Sequence, residues 1–331
     1  MTVQYFRDLV TVTLPDNANA SRTSRYRPNE VITLQWNNPA SRIAYSRTDG
    51  TLRIWKLNNC ELVNLPPVVI DDCHAKQVES ISWNPASETD LATVGNDEKV
   101  KIWNTQRGAL IKEMDVGVNG NILVQYSGDA KYIVSISKQN VINIIDSKSY
   151  NIVETIKIEK NVYSVTWNNN SSFLFFGLSD GSILLYKFAN DKLNHLHTLK
   201  GHRSIIKSLK FEARGNRLVA GSNEGSVTIW SMDTMAVTSI YAEIDEPVAQ
   251  VDISRDGTYL SITYEDGEPA KIFEISSHNE FHKLPKCIAG ASTYPNLWFC
   301  PIKTLFAYST SDGEVLLTMK GSGQGGRSRD R

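Results

Sequence analysis

One unit recurs along this chain at near-constant spacing, and few folds can absorb it. Its clearest part is a hairpin-like run, "SRTDGTLRIWKL" (Ser46 to Leu57): polar residues, an Asp-Gly turn, then alternating apolar residues. Glycine accepts the positive φ of a tight turn, so Asp-Gly between alternating runs signals a β-hairpin. The run returns as "GNDEKVKIWNT", "LSDGSILLYKF", "SNEGSVTIWSM" and "TSDGEVLLTMK", with weaker copies "SKQNVINIIDS" and "YEDGEPAKIFEI". Each copy follows an apolar strand-like segment and a polar turn, as in "LQWNNPASRIAYS".

The last apolar residues of those preceding segments are Trp36, Trp83, Tyr126, Trp167, Phe211, Ile253 and Phe299, with gaps of 47, 43, 41, 44, 42 and 46 residues. A period of about 44 with four strand-like segments per unit is the spacing of a propeller blade. The expected fold is therefore all-β, a seven-bladed β-propeller over residues 1–320. "LVTVTL" (Leu9 to Leu14) precedes the first unit, and the seventh ends on its third strand, "EVLLTMK". Leu9 to Leu14 is expected to supply the missing outer strand and remove an open edge.

The unit "GHRSIIKSLKFEARGNRLVAGSNEGSVTIWSMDT" (Gly201 to Thr234) resembles the WD-repeat family. In that family a His, a Ser or Thr, an acid and a Trp form a buried hydrogen-bonded set within the blade. The resemblance assigns those places to His202, Ser222, Glu224 and Trp230. The second unit matches in part, through His74, Asp97 and Trp103; the first offers Asp49 and Trp55 but no His. No third strand carries the literal Trp-Asp pair. "VINIIDSKSYNIVETIKIEKNVYSVTWNNNSSFLFF" (Val141 to Phe176) and "EPVAQVDISRDGTYLSITYEDG" (Glu246 to Gly267) further resemble the WD-repeat subunits of the THO complex. That resemblance implies a nuclear protein acting in transcription-coupled mRNA packaging and export. Its partners would be large helical subunits, with RNA and an ATP-dependent RNA helicase reached through them. The alternatives are another nuclear WD-repeat adaptor, for chromatin or as a ubiquitin-ligase substrate receptor, or a propeller enzyme with a funnel site.

Composition bounds these readings. There are 35 basic and 36 acidic residues, a net charge of −1, so no global pull toward nucleic acid or membrane is expected. No apolar run reaches the ~18–20 residues of a membrane span. "MTVQYFRDLV" places Arg7 and Asp8 where a signal peptide needs an apolar stretch. Cys60, Cys73, Cys287 and Cys300 are scattered, which reads as a reduced, intracellular chain. The tail "GSGQGGRSRDR" (residues 321–331) has no apolar residue and cannot pack. It reads as the cut end of a longer disordered tail or an expression scar, or else as an Arg-Gly tail touching RNA.

Chemical motifs are weak. "GLSDG" (Gly177 to Gly181) matches G-x-S-x-G, but a nucleophile elbow needs a strand before and a helix after. Here both flanks are strand-like, so Ser179 reads as a turn residue. His278 and His282 have i, i+4 spacing without a third ligand nearby. His195 and His197 alternate along one strand and are expected to share a face. "SRTSRYRP" (Ser21 to Pro28) reads as a polar link or a phosphate-contacting arm. Asn58 to Gln77 and Ser276 to Pro295 read as long insertions, either binding surfaces, which often sit on such loops, or tolerated decoration.

Without paired carboxylates, a metal cluster or a phosphate loop, the expected role is a non-catalytic protein-interaction scaffold, with no cofactor, small-molecule substrate or membrane. The expected rim comprises residues beside the hairpin turns, Thr48, Asn96, Lys138, Asn223 and Glu265, and residues at the strand entries, Glu30, Gln77, Glu79, Lys207 and Glu246. Its mixed charge suits a protein surface better than a phosphate backbone.

Overall fold

A computed structural model of the chain describes residues 9–16, 30–118, 120–265, 268–284, 295–310 and 313–320. The seven residues aligned above each end the innermost strand of a blade: Val31–Trp36, Val78–Trp83, Asn121–Tyr126, Val162–Trp167, Ile206–Phe211, Val248–Ile253 and Leu297–Phe299. Outward from each lie three further strands in antiparallel order, with the two-residue Glu61–Leu62 as an additional strand in blade 1, giving seven sheets and an all-β, seven-bladed β-propeller.

Two stretches read as insertions are partly structural. Val68–Ile70, within Asn58 to Gln77, pairs with Leu52–Asn58 as the outer strand of blade 1. Glu280–Lys283 does the same for blade 6 against Lys271–Glu274. The outer strand of blade 7 is Leu9–Thr13, which runs antiparallel to Val315–Lys320 with Leu9 opposite Lys320 and Thr13 opposite Leu316. The Ser21 to Pro28 link, Cys287 and the 321–331 tail lie outside the described residues.

Burial explains why each blade needs its neighbours. The second strands Arg42–Arg47 and Tyr259–Tyr264 are buried at every position, whereas the outer strand Ala109–Asp115 buries only Met114. Both faces of an inner strand are covered because a blade is packed on each side. The apolar core is accordingly split into seven clusters, one at each junction between blades. The cluster of Leu14, Tyr45, Trp55 and Cys60 with Cys300, Ala307 and Leu317 fills the junction of blade 7 with blade 1 and so closes the ring.

Polar bonds between innermost strands reinforce closure. Trp36 Nε1–H donates to Trp298 O and Trp83 Nε1–H to Gln35 O, each at 3.2 Å to the preceding blade. Open-edge N–H groups find side chains there too: Tyr126 N–H donates to Ser82 Oγ at 2.9 Å and Phe299 N–H to Asp252 Oδ2 at 2.7 Å.

Candidate interaction surface

Turns between second and third strands, and links entering each first strand, gather at one end of the ring. Gly225, in such a turn of blade 5, shows how tightly they pack. Its φ is +84°, and a Cβ there would lie 2.4 Å from the carbonyl oxygen of Ile244 in the next link. Only glycine meets both demands.

Two buried relays brace this end. In blade 2, Trp103 Nε1–H donates to Thr93 Oγ1 (2.9 Å), and Thr93 Oγ1 lies 2.8 Å from His74 Nε2. His74 Nδ1 lies 2.9 Å from Asp97 Oδ2. The carboxylate fixes the ring proton on Nδ1, so Nε2 accepts from the threonine hydroxyl. A Cβ at position 95 would come within 2.5 Å of the His74 Cβ, so Gly95 admits the histidine. In blade 5 the chain runs Trp230, Thr228, His202, Glu224, at 2.8, 2.7 and 2.9 Å. The hydroxyl is that of Thr228, not Ser222. Thr228 sits directly opposite Ala220, one strand outward from the place Thr93 occupies in blade 2. Ser222 Oγ instead donates to Ser204 O at 3.3 Å and accepts from Glu224 N–H.

Burial lowers the pKa of both histidines, against the pull of Asp97 and Glu224. Burial opposes ionisation of the carboxyls as well. For Asp97 the His74 ring and the N–H groups of Lys99 and Ala75 outweigh it, so the group titrates below its ordinary value. For Glu224, His202, Ser226 and the Arg203 N–H do the same.

Blade 1, lacking the histidine, is built differently. Trp55 Nε1–H donates to Tyr45 Oη (2.9 Å), and Tyr45 O–H donates to Asp16 Oδ2 (2.6 Å). Asp16 also receives Arg47, at 2.7 Å, and Arg53. The acid thus comes from the segment after the N-terminal strand. Asp49 stays exposed and accepts from Thr51 in its own turn.

The remaining rim residues are partly tied across blades. Lys207 Nζ donates to Glu265 Oε1 at 2.9 Å and Lys138 Nζ to Asn96 Oδ1 at 3.2 Å. Gln77 donates to Glu79 at 3.3 Å. Thr48 and Lys138 are exposed; Gln77, Glu79, Asn96, Lys207, Asn223, Glu246 and Glu265 are half-buried. Glu30 is a correction: it is buried, because its N–H and C=O bond Thr48 and press the link onto the turn. Sequence reasoning missed a further feature at this end. Six innermost strands slip register at their second residue, at Ile32, Glu79, Ile122, Tyr163, Lys207 and Ala249. Bulges re-aim side chains beside binding sites, and here they leave Tyr163 as an exposed aromatic. No sequence signal marks them beyond their distance from each strand's end.

At the opposite end a cavity of about 310 Å³ is lined by Trp36, Trp83, Gln125, Tyr126, Lys210 and Trp298, among others. Lys210 Nζ lies 4.3 Å over the Trp298 ring and 3.1 Å from Asp252. Burial pushes the Asp252 carboxyl up against the pull of Lys210. Trp298 Nε1 and Gln125 Oε1 are buried without a hydrogen-bonding partner among the described residues.

The enzyme-like motifs dissolve. Ser179 lies in the turn between strands Phe173–Leu178 and Ser182–Ala189, with no helix after it. His278 meets the Tyr241 ring edge-on and His282 packs near Phe306. His195 and His197 pair with the adjacent residues Tyr186 and Leu185 across a register slip, which turns them to opposite faces. Among the described residues no three His, Cys, Asp or Glu are grouped to hold a metal ion. No helix among them is long and apolar enough to cross a membrane.

Comparison with known proteins finds partial likeness. The family model "WD domain, G-beta repeat" matches residues 66–104, 152–187 and 193–231. "Protein TEX1" of Saccharomyces cerevisiae is 26% identical over 297 residues, covering 85% of this chain and 70% of that protein. "WD repeat-containing protein AAC3" of Dictyostelium discoideum is 29% identical over 244 residues, 67% of this chain and 50% of its own length. "THO complex subunit 3" of Arabidopsis thaliana is 21% identical over 300 residues, 91% of this chain and 92% of its own length.

Proposed function

We infer, from the three stretches that match the WD domain model and the distant similarity to "Protein TEX1" and "THO complex subunit 3", that this chain is a WD40-repeat propeller protein serving as a non-catalytic protein-interaction scaffold in a THO-like nuclear assembly. The observation that carries the scaffold reading is the charge pattern of the braced rim. Three of its cations face acids or amides: Lys207 meets Glu265, Lys138 meets Asn96 and Lys160 meets Asp180. A phosphate backbone needs an uninterrupted track of unneutralised cations, whereas a folded partner accepts mixed polarity around exposed aromatics such as Tyr163. The THO assignment draws on the similarity to the Arabidopsis subunit, which runs through nearly the whole of both chains. In this reading large helical subunits sit on the rim, RNA and an RNA helicase are reached through them, and the protein acts in mRNA packaging and export.

Affinity purification of the chain from nuclear extract, followed by mass spectrometry, tests the assignment. THO subunits should dominate the co-purifying chains. Chromatin or ubiquitin-ligase components in their place would overturn it.

A further inference from the structure

The junction of blades 1 and 7 holds two thiols in contact. Cys60 lies in the turn after Leu52–Asn58, with φ +69°, next to Asn59 at +53°. Cys300 follows the innermost strand of blade 7 and is anchored by its N–H to Leu305 O at 2.7 Å. The two sulfurs are 3.2 Å apart although 240 residues separate them, and both side chains are buried. A disulfide needs about 2.05 Å, so a shift of roughly 1 Å joins them. Cys73, the other described thiol, faces the carbonyl oxygen of Ile70 instead.

We propose that Cys60 and Cys300 form a reversible disulfide that staples blade 1 to blade 7 at the ring's closing junction. A cavity borders each of the two residues. Cys60 lines a cleft of about 350 Å³ with Asn59, Glu61, Lys303 and Met319. Cys300 lines a cavity of about 480 Å³ with Phe299, Pro301 and Arg255. The pair is also polarised. The hydrogen bond from the Cys60 thiol lowers the Cys300 pKa against burial, helped by the N–H groups of Ile302 and Lys303 and by the Lys303 charge. The same contact, with burial, pushes Cys60 up, which favours Cys300 as the attacking thiolate.

With hydrogen peroxide as oxidant, the Cys300 thiolate sulfur attacks one oxygen. An S–O bond forms, the O–O bond breaks, and the departing hydroxide takes up a proton as water. The Cys60 sulfur then attacks the Cys300 sulfenic acid. The S–S bond forms, the S–O bond breaks, and the leaving hydroxide takes the Cys60 proton as a second water. Two thiols thereby lose two electrons and two protons, and a dithiol reductant reverses the change by exchange.

The test uses the full chain. Treat it with hydrogen peroxide, alkylate the remaining thiols, and map the peptides. The expected product is a Cys60–Cys300 linked peptide with two of the four cysteines no longer alkylated. Dithiothreitol should restore all of them. The melting temperature should rise on the order of 5 °C on oxidation, and Cys60→Ser or Cys300→Ser should abolish that rise. Four alkylated cysteines after treatment, over-oxidised Cys300 without a cross-link, or a bridge through Cys73 or Cys287 would each overturn the proposal. The peptide map is read on the unaltered chain, so it stands even if a serine variant folds poorly.

Discussion

The indole N–H of Trp36 donates to the carbonyl oxygen of Trp298 at 3.2 Å, tying the first blade's innermost strand to the seventh's across 262 residues. The same junction holds the Leu14 to Leu317 core cluster and the Asp16 ion pairs, and its outermost pairing belongs to the N-terminal strand. Ring closure is thus concentrated at one junction, and it should dominate the stability of the whole.

Asp16→Ala should therefore cost far more than a surface charge. Arg47 is fully buried and Asp16 nearly so, and removing one partner of such a pair leaves an uncompensated charge, at about 3–5 kcal/mol. Thermal denaturation of the variant should show a matching drop. Deleting residues 1–15 should go further and give insoluble or molten protein, because blade 7 then presents an unpaired strand. An unchanged melting temperature in either would refute the closure account.

In the blade 5 relay, Thr228→Val keeps the shape but strands Trp230 Nε1–H and His202 Nε2. Leaving buried polar groups unpaired costs about 1–3 kcal/mol. Ser222→Ala, outside the relay, should cost less, within about 1 kcal/mol. Trp230→Ala should cost roughly 3–5 kcal/mol through lost aromatic burial. Urea denaturation curves of the three variants rank them; a larger loss for Ser222→Ala than for Thr228→Val would restore the serine to the relay.

The relays also set an acid limit. His74 and His202 have folded pKa values below the ordinary 6.5, so both states are neutral above that pH. As pH falls below 6.5 the unfolded chain takes up protons that the folded chain refuses, and stability drops. His282, also lowered by burial, adds the same sign. Asp97 and Glu224 have folded values below 3.8 and 4.5; their contribution, present above those values, is lost as pH falls through the folded ones. These groups lower the melting temperature from about pH 6.5 downward, against the opposite sign of buried Asp252, whose raised carboxyl takes up its proton first in the folded chain. A flat or rising profile between pH 7 and 5 would contradict these directions.

Much of this architecture was legible because blades repeat. The seven aligned apolar residues end seven innermost strands, since each strand must stop at the same depth in the ring. What repeats cannot encode is contact between units. Thr228 escaped because its hydroxyl reaches the relay from the neighbouring strand, opposite Ala220. Asp16 escaped because the blade 1 acid lies 29 residues before Tyr45 in the chain, outside the unit. Val68–Ile70 reads as insertion in the sequence because a short outer strand, packed on one side, needs no strong alternation.

Ser179→Ala is the converse case. The residue sits in a turn, its N–H bonded to Asn161 O at 2.9 Å through the backbone, which alanine retains. Its stability should stay within about 0.5 kcal/mol of the parent chain. Loss of a hydrolytic activity in that variant would revive the nucleophile.

The central claim is that the braced rim docks a large helical partner. Size-exclusion chromatography of the chain mixed with purified THO subunits measures it directly, beside a chain carrying Lys138→Glu and Lys207→Glu. Both lysines are at least partly exposed, so reversal should leave the melting temperature nearly unchanged. The unaltered chain should co-elute with the subunits and the double variant should elute alone, with only weak, non-selective RNA binding by the chain itself at physiological salt. An unaltered chain that elutes apart from every THO subunit, or that binds RNA tightly and selectively without a partner, would contradict the account.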